Sequence, residues 1–225
     1  MVGALLLVAG TVVGCGGSSS SSSGVAAKTP EQILAAAKAA AAGAASVHLA
    51  GSIVNERKPI SIDMELLAGK GGKGRITLEG LGIQLIRLEH AIYISGSAAF
   101  YRHIAGPAAA QLLQGKWLKA PENGGNFSSL ASLTELSKLV GTALAEHGSL
   151  RKGPVKTIAG QKVVALEDVS NGGTLYVAAT GTPYPVEIVK RGGSGGSILF
   201  DRWNQPVTLT APANAININQ LQSGH

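Results

Sequence analysis

The chain has 225 residues, of which 45% are hydrophobic and 14% charged, with one cysteine and a net charge of +6. A single cysteine excludes an internal disulfide, and Lys and Arg scattered without interleaved aromatics exclude the footprint of a nucleic-acid surface. The pI near 9.6 and mean hydropathy of +0.22 fit attraction to an anionic membrane, worth ~1 kcal/mol for each nearby Lys or Arg, as well as an ordinary solvated face.

Residues 2–13, VGALLLVAGTVV, carry no charge and no proline. The run has the length of a signal-peptide apolar segment and falls short of the ~20 residues a spanning helix needs. It ends in Val12-Val13-Gly14-Cys15, which resembles the bacterial lipobox: aliphatic, small or aliphatic, small, cysteine. The resemblance implies a signal peptide over 1–14, cleavage before Cys15, and a diacylglyceryl thioether on Cys15 that anchors the exported chain to the outer face of the cell membrane. A signal peptide opens on Lys or Arg, whereas Val2 follows Met1 directly, so the true start codon is expected upstream. As a plain thiol Cys15 has no core to pack in and no His or Lys nearby to activate it. The Gly/Ser-rich stretch 15–28 then reads as a tether spanning roughly 20 Å.

The folded domain is expected over 29–215, with a polar tail at 216–225. Residues 29–45 predict a helix: Thr29 at the N-cap, Pro30 at the first helical position, Glu31 and Gln32 in the first turn, then mostly alanine. Ile33, Leu34, Ala37, Ala41 and Ala44 make its apolar stripe. From Val47 the period changes to two. Ile60, Ile62, Met64 and Leu66 alternate with Ser61, Asp63 and Glu65, and Arg75-Ile76-Thr77-Leu78-Glu79 repeats the pattern after a glycine-rich turn. Strands at 82–88 and 90–95 follow. The alternation places Asp63, Glu65 and Glu79 on outward faces and predicts an antiparallel meander, wet on one side. Residues 97–114 read as two helices broken at Gly106-Pro107, 116–121 as a strand, and 129–147 as one helix carrying Leu130, Leu133, Leu136, Leu139, Val140 and Leu144. Strands return at 154–159, 161–168, 173–179, 184–191, 196–203 and 206–210. This order predicts an α+β fold with one large antiparallel sheet.

Two strings imitate catalytic motifs. Gly69 to Gly74 fits GxGxxG, but a dinucleotide site needs a helix next, and Ile76-Thr77-Leu78 reads as strand. Gly192 to Gly196 fits GxSxG, with Asp201 and His225 following in hydrolase order. It joins two strands, however, where a nucleophile elbow joins strand to helix. His48, His90, His103, His147 and His225 show no metal-ligand spacing, and Trp117 and Trp203 suit packing. The residues point to no enzyme, no cofactor and no metal.

Several segments together resemble the actinobacterial lipoproteins of the LppX/LprAFG group, which share the LolA/LolB-like fold. They are Ser46-Val47-His48-Leu49-Ala50-Gly51 after the Ala-rich helix, Ile92-Tyr93-Ile94-Ser95-Gly96 with Phe100, and Gly115-Lys116-Trp117-Leu118-Lys119. Pro183-Tyr184-Pro185-Val186 and the run from Ile198 to Val207 complete the set. The resemblance implies a curved antiparallel half-barrel, its concave face covered by helices around an apolar cavity, and a role in carrying lipid, glycolipid or lipoprotein acyl chains as a monomer. On the residues alone, a cavity or a fully packed core fits the apolar content. The lining expected for a cavity is Ile62, Met64, Leu66, Ile76, Leu78, Ile83, Leu85, Ile92 and Ile94. The other functional reading is an envelope sensor or protein-interaction scaffold without a lipid ligand.

Overall fold

The computed structural model describes residues 24–55, 57–123, 127–145, 147–192 and 195–222. The expected signal peptide, Cys15 and most of the expected tether lie outside the described residues, as do Ser194 and His225. Helix α1 (Pro30–Ala42) begins where the capping signal places it. Thr29 Oγ1 accepts from the Gln32 N–H at 3.3 Å, and the Gln32 side chain accepts from the Thr29 N–H at 3.1 Å. This reciprocal box satisfies two of the N–H groups a helix start leaves open. Ile33, Leu34, Ala37 and Ala41 are buried, so the predicted stripe is the packed one.

Five strands follow: β1 (Ser46–Asn55), β2 (Lys58–Leu67), β3 (Gly71–Leu78), β4 (Leu81–Leu88) and β5 (Ala91–Gly96). Each pairs antiparallel with the next. After helix α2 (Ala98–Leu113), β6 (Leu118–Pro121) extends this meander. Helices α3 (Phe127–Ser132) and α4 (Leu136–Ala145) lead to β7 (Leu150–Ile158), β8 (Gln161–Asp168), β9 (Gly173–Ala178), β10 (Pro185–Lys190) and β11 (Gly196–Asp201), a second meander. β1 pairs with β11, which joins the two. The chain ends in β12 (Ile216–Asn217) and α5 (Ile218–Gln222). The result is one open, curved sheet of twelve strands in the order β12-β6-β5-β4-β3-β2-β1-β11-β10-β9-β8-β7. Helices α1, α3 and α4 share a hydrophobic cluster with its inward-facing residues.

Three segments depart from the sequence reading. The helix expected over 129–147 breaks between α3 and α4. Thr134 is fully buried there, and its hydroxyl donates to the Ala131 carbonyl at 2.7 Å, a local bond that competes with helix propagation. The strand expected at 206–210 is absent, because β11 already lies between β1 and β10 and has no vacant edge. Arg202 and Asn204 adopt φ of 50° and 58°, turning the chain out of the sheet. Ser46 Oγ then donates to the Gln205 carbonyl at 2.6 Å, fastening the departing segment over the start of β1. The stretch read as a polar tail begins with Ile216 and Asn217, which pair in parallel with Leu118 and Lys119. The break at Gly106-Pro107 lies inside α2, where Gly106 takes φ 84° and ψ 176°, a conformation open almost only to glycine.

Candidate functional site: an apolar cavity under the helices

The register sorts the inward side chains of the sheet into rungs. The first, beside the β1–β2 and β3–β4 turns, runs Ile53, Ile60, Leu78, Leu81. The second runs Ile198, Gly51, Ile62, Ile76, Ile83. The third runs Phe200, Leu49, Met64, Gly74, Leu85, Ile94, and the fourth Val47, Leu66, Gly72, Arg87, Ile92. The first two rungs face a cavity of about 1010 Å³. Its other wall comes from Phe100, His103 and Ile104 of α2, Leu130 and Leu133 at and beyond α3, and Leu139, Thr142 and Ala143 of α4.

Of the residues expected to line a cavity, Ile62, Ile76, Leu78 and Ile83 do so. Met64, Leu66, Leu85, Ile92 and Ile94 share their face but lie one or two rungs deeper. There Met64, Leu66, Leu85 and Ile92 are fully buried and Ile94 nearly so, and none of the five borders the cavity. Met64 shows how tight that region is. Its cross-strand partner is Gly74, and a Cβ at Gly74 would meet the Asp63 carbonyl oxygen and lie 2.5 Å from Met64 Sδ. Alternation assigns a face. Depth along the strand depends on where the helices lie. The fourth rung is closed by Arg87, whose Nε donates to Glu122 at 2.8 Å. Bonds from His90 and Arg87 hold the Glu122 carboxyl below its ordinary range.

Helices over the cavity are expected from the sequence, but the expected lining names only strand residues and none of this helical wall. Leu130, Leu133 and Leu139 sit on the apolar stripe expected over 129–147, whereas Phe100, His103 and Ile104 carried no periodic signal. Tyr101 explains how that part of α2 is seated. It is 1% exposed, and its phenol oxygen accepts from the Gly96 N–H at 3.0 Å. Burial pushes its pKa up, and the Gly96 bond offsets part of this.

The cavity opens at the first rung, where Ile53, Leu78 and Ile104 are 36%, 43% and 57% exposed. Glu79 stands at this rim, and not on the outward face of a strand as its alternation suggested. β3 ends at Leu78, and Glu79-Gly80 take φ of 52° and 82° as a two-residue hairpin turn. Lys58 Nζ pairs with Glu79 at 3.0 Å. Of the outward acids, Asp63 pairs with His48 and Glu65 with Arg202 and Lys73.

The GxGxxG string runs into β3, a strand, and of the GxSxG string, whose Gly193 and Ser194 lie outside the described residues, Gly196 opens β11, also a strand. Asp201 lies beside His48. Among the described residues, no group of His, Cys, Asp or Glu is arranged to hold a metal ion, and no helix is long and apolar enough to cross a membrane.

No protein-family model matches the chain, and no curated protein matches it in sequence. Solved structures do match. LprF from Mycobacterium bovis superposes with a TM-score of 0.59 at 15% identity, over 82% of this chain and 97% of its own. The lipoprotein LppX from Mycobacterium tuberculosis gives 0.53 at 18% identity, over 80% and 99%. At these identities it is the fold that is shared: the chain has the LppX/LprAFG-type fold that its sequence segments resemble.

Proposed function

We propose that this protein is an envelope lipoprotein, held at the outer face of the cell membrane by a diacylglyceryl group on Cys15, that binds and carries acyl chains without catalysis. Its ligand is a lipid, a glycolipid or the acyl end of another lipoprotein. Residues 1–14 are then the signal peptide, 15–28 the tether, and the domain from residue 29 onward the carrier. The observation that carries the reading is the cavity of about 1010 Å³, which is apolar along the sheet and open at one rim. Pockets for small ligands run to ~300–1,000 Å³ with apolar linings and few polar groups. This one sits at the large end, and its polar lining groups are few, Glu79, His103, Lys138 and Thr142 among them. Burying a methylene is worth ~0.8 kcal/mol, so ten give about 8 kcal/mol, the free energy of a roughly micromolar complex. Chain length alone therefore supplies useful affinity, and no hydrogen-bonding code is needed.

Mass spectrometry of full-length protein extracted from its own membranes tests this. A carrier comes out with stoichiometric lipid beyond its own anchor and takes up a fluorescent fatty-acyl probe that the extracted lipid displaces. Protein that holds no lipid and binds no probe overturns the reading.

A further inference from the structure

The outward face of the same sheet carries a second hollow, of about 370 Å³, on the side away from the apolar cavity. It crosses β2, β3 and β4. Arg202, just past β11, borders it on one side and Trp117, just before β6, on the other. Two cross-strand rows make its floor: Asp63, Arg75 and Gln84 in one, Glu65, Lys73 and Ile86 in the next.

The acids in this cleft are already engaged. Asp63 Oδ1 lies 3.0 Å from His48 Nε2. Glu65 accepts from Arg202 at 2.9 Å and pairs with Lys73 at 3.2 Å. The donors between and beside them are not engaged. Among the described residues, the Arg75 guanidinium, the Gln84 amide and Trp117 Nε1 have no hydrogen-bond partner. Arg75 and Gln84 are exposed, and Trp117 is half-buried.

A ligand for this surface must offer acceptors to fixed donors, tolerate two neighbouring carboxylates, and lay an apolar face against an indole. An anion fails the second condition and an acyl chain the first. A sugar meets all three, because hydroxyls both donate and accept and the C–H face of a ring packs on an aromatic surface whose polar edge bonds outward. We propose that the outward cleft is a carbohydrate-binding site that takes one or two sugar units of a neutral glycan. Arg75, Gln84 and Trp117 Nε1 donate to it, and the Trp117 ring supports a sugar face. The site shares no lining residue with the apolar cavity, so it stands or falls apart from the acyl-carrier reading.

Cellobiose, maltose and diacetylchitobiose are titrated into nitrogen-15-labelled full-length protein while the two indole N–H resonances are followed. With at least one sugar, the Trp117 signal shifts and saturates in the millimolar range. Trp203 serves as the internal control: its Nε1 donates to the Pro185 carbonyl at 3.0 Å, and its ring stacks on Tyr184. Its signal stays in place. Arg75→Ala weakens binding about tenfold, the worth of one hydrogen bond from a charged donor. Its unfolding midpoint and acyl-probe binding stay at the parent values, because Arg75 holds no other protein group. A Trp117 signal unmoved by all three sugars overturns the proposal, and so does equal binding by Arg75→Ala. Inorganic phosphate is the anion probe, and a Trp117 shift with phosphate but with none of the sugars overturns it too.

Discussion

Tyr101 and Asp168 each organise backbone from a single side chain, one in the interior and one at the surface. The Tyr101 phenol is the acceptor for the Gly96 N–H at the end of β5. Tyr101→Phe keeps the ring and removes that acceptor, leaving a buried N–H unpaired at a cost of about 1–3 kcal/mol. A lower urea midpoint with an unchanged slope is the expected result. Asp168 accepts from the N–H groups of Gly148 at 3.0 Å, Ser170 at 3.0 Å and Asn171 at 2.9 Å. The Gly148 bond first and those from Asn171 next hold its pKa down to about 2. An unfolded Asp titrates near ~3.9, so folding favours the ionised form. That stabilisation is full above ~4 and is lost as pH falls from ~4 to ~2. Asp168→Asn is therefore less stable than the parent at pH 7, and the gap closes through this acid window. Guanidinium midpoints taken at neutral and at acidic pH read it directly, and a gap that stays constant with pH contradicts the assignment.

At the scale of elements, the sequence declares what its local chemistry controls. Thr29-Pro30-Glu31-Gln32 announces the start of α1, and Gly106-Pro107 marks the break in α2. Strict alternation in β2 and β3 sorts inward from outward side chains, so the sheet and its two faces are legible. The end of α3 is local too, set by the Thr134 hydroxyl, but the leucine stripe runs straight through it. Two features depend on distant partners and are not legible. β11 gains no second hairpin partner because β1 occupies that edge, and the boundary between cavity and core falls between rungs that alternation treats alike. Adjacent inward positions on β2 make that boundary measurable. Ile62 lines the cavity and is only half-buried, whereas Met64 is fully buried against Gly74. Ile62→Trp should melt within error of the parent and lose most acyl-probe binding. Met64→Trp must push neighbours off their rotamers and should lose about 1–3 kcal/mol. Equal destabilisation of both would mean that the second rung is packed as tightly as the third.

For the whole molecule, the lipobox resemblance and the fold meet in one test of Cys15. Cys15→Ala removes the acceptor sulfur, so metabolic labelling with radioactive palmitate should drop to background, with the protein released or left as uncleaved precursor. Undiminished labelling contradicts the anchor. The junction of β1 with β11 bears on a different matter, the order in which the molecule is made. Apart from the short parallel β12, the other neighbouring strands in the sheet are consecutive in the chain, whereas His48 and Asp201, facing each other across this junction, are 153 residues apart. Two meanders can therefore zip locally, and their union waits for a long-range encounter. Such topologies fold on the millisecond-to-second scale because loop-closure entropy is lost before the contacts form. The cavity wall crosses this seam, with Leu49 and Ile53 on one side and Ile198 on the other. An unzipped chain has no complete chamber, and whatever binds there adds stability only to the zipped state. On the carrier reading proposed above, a passenger is accepted only once folding is complete, and its presence then holds the seam shut.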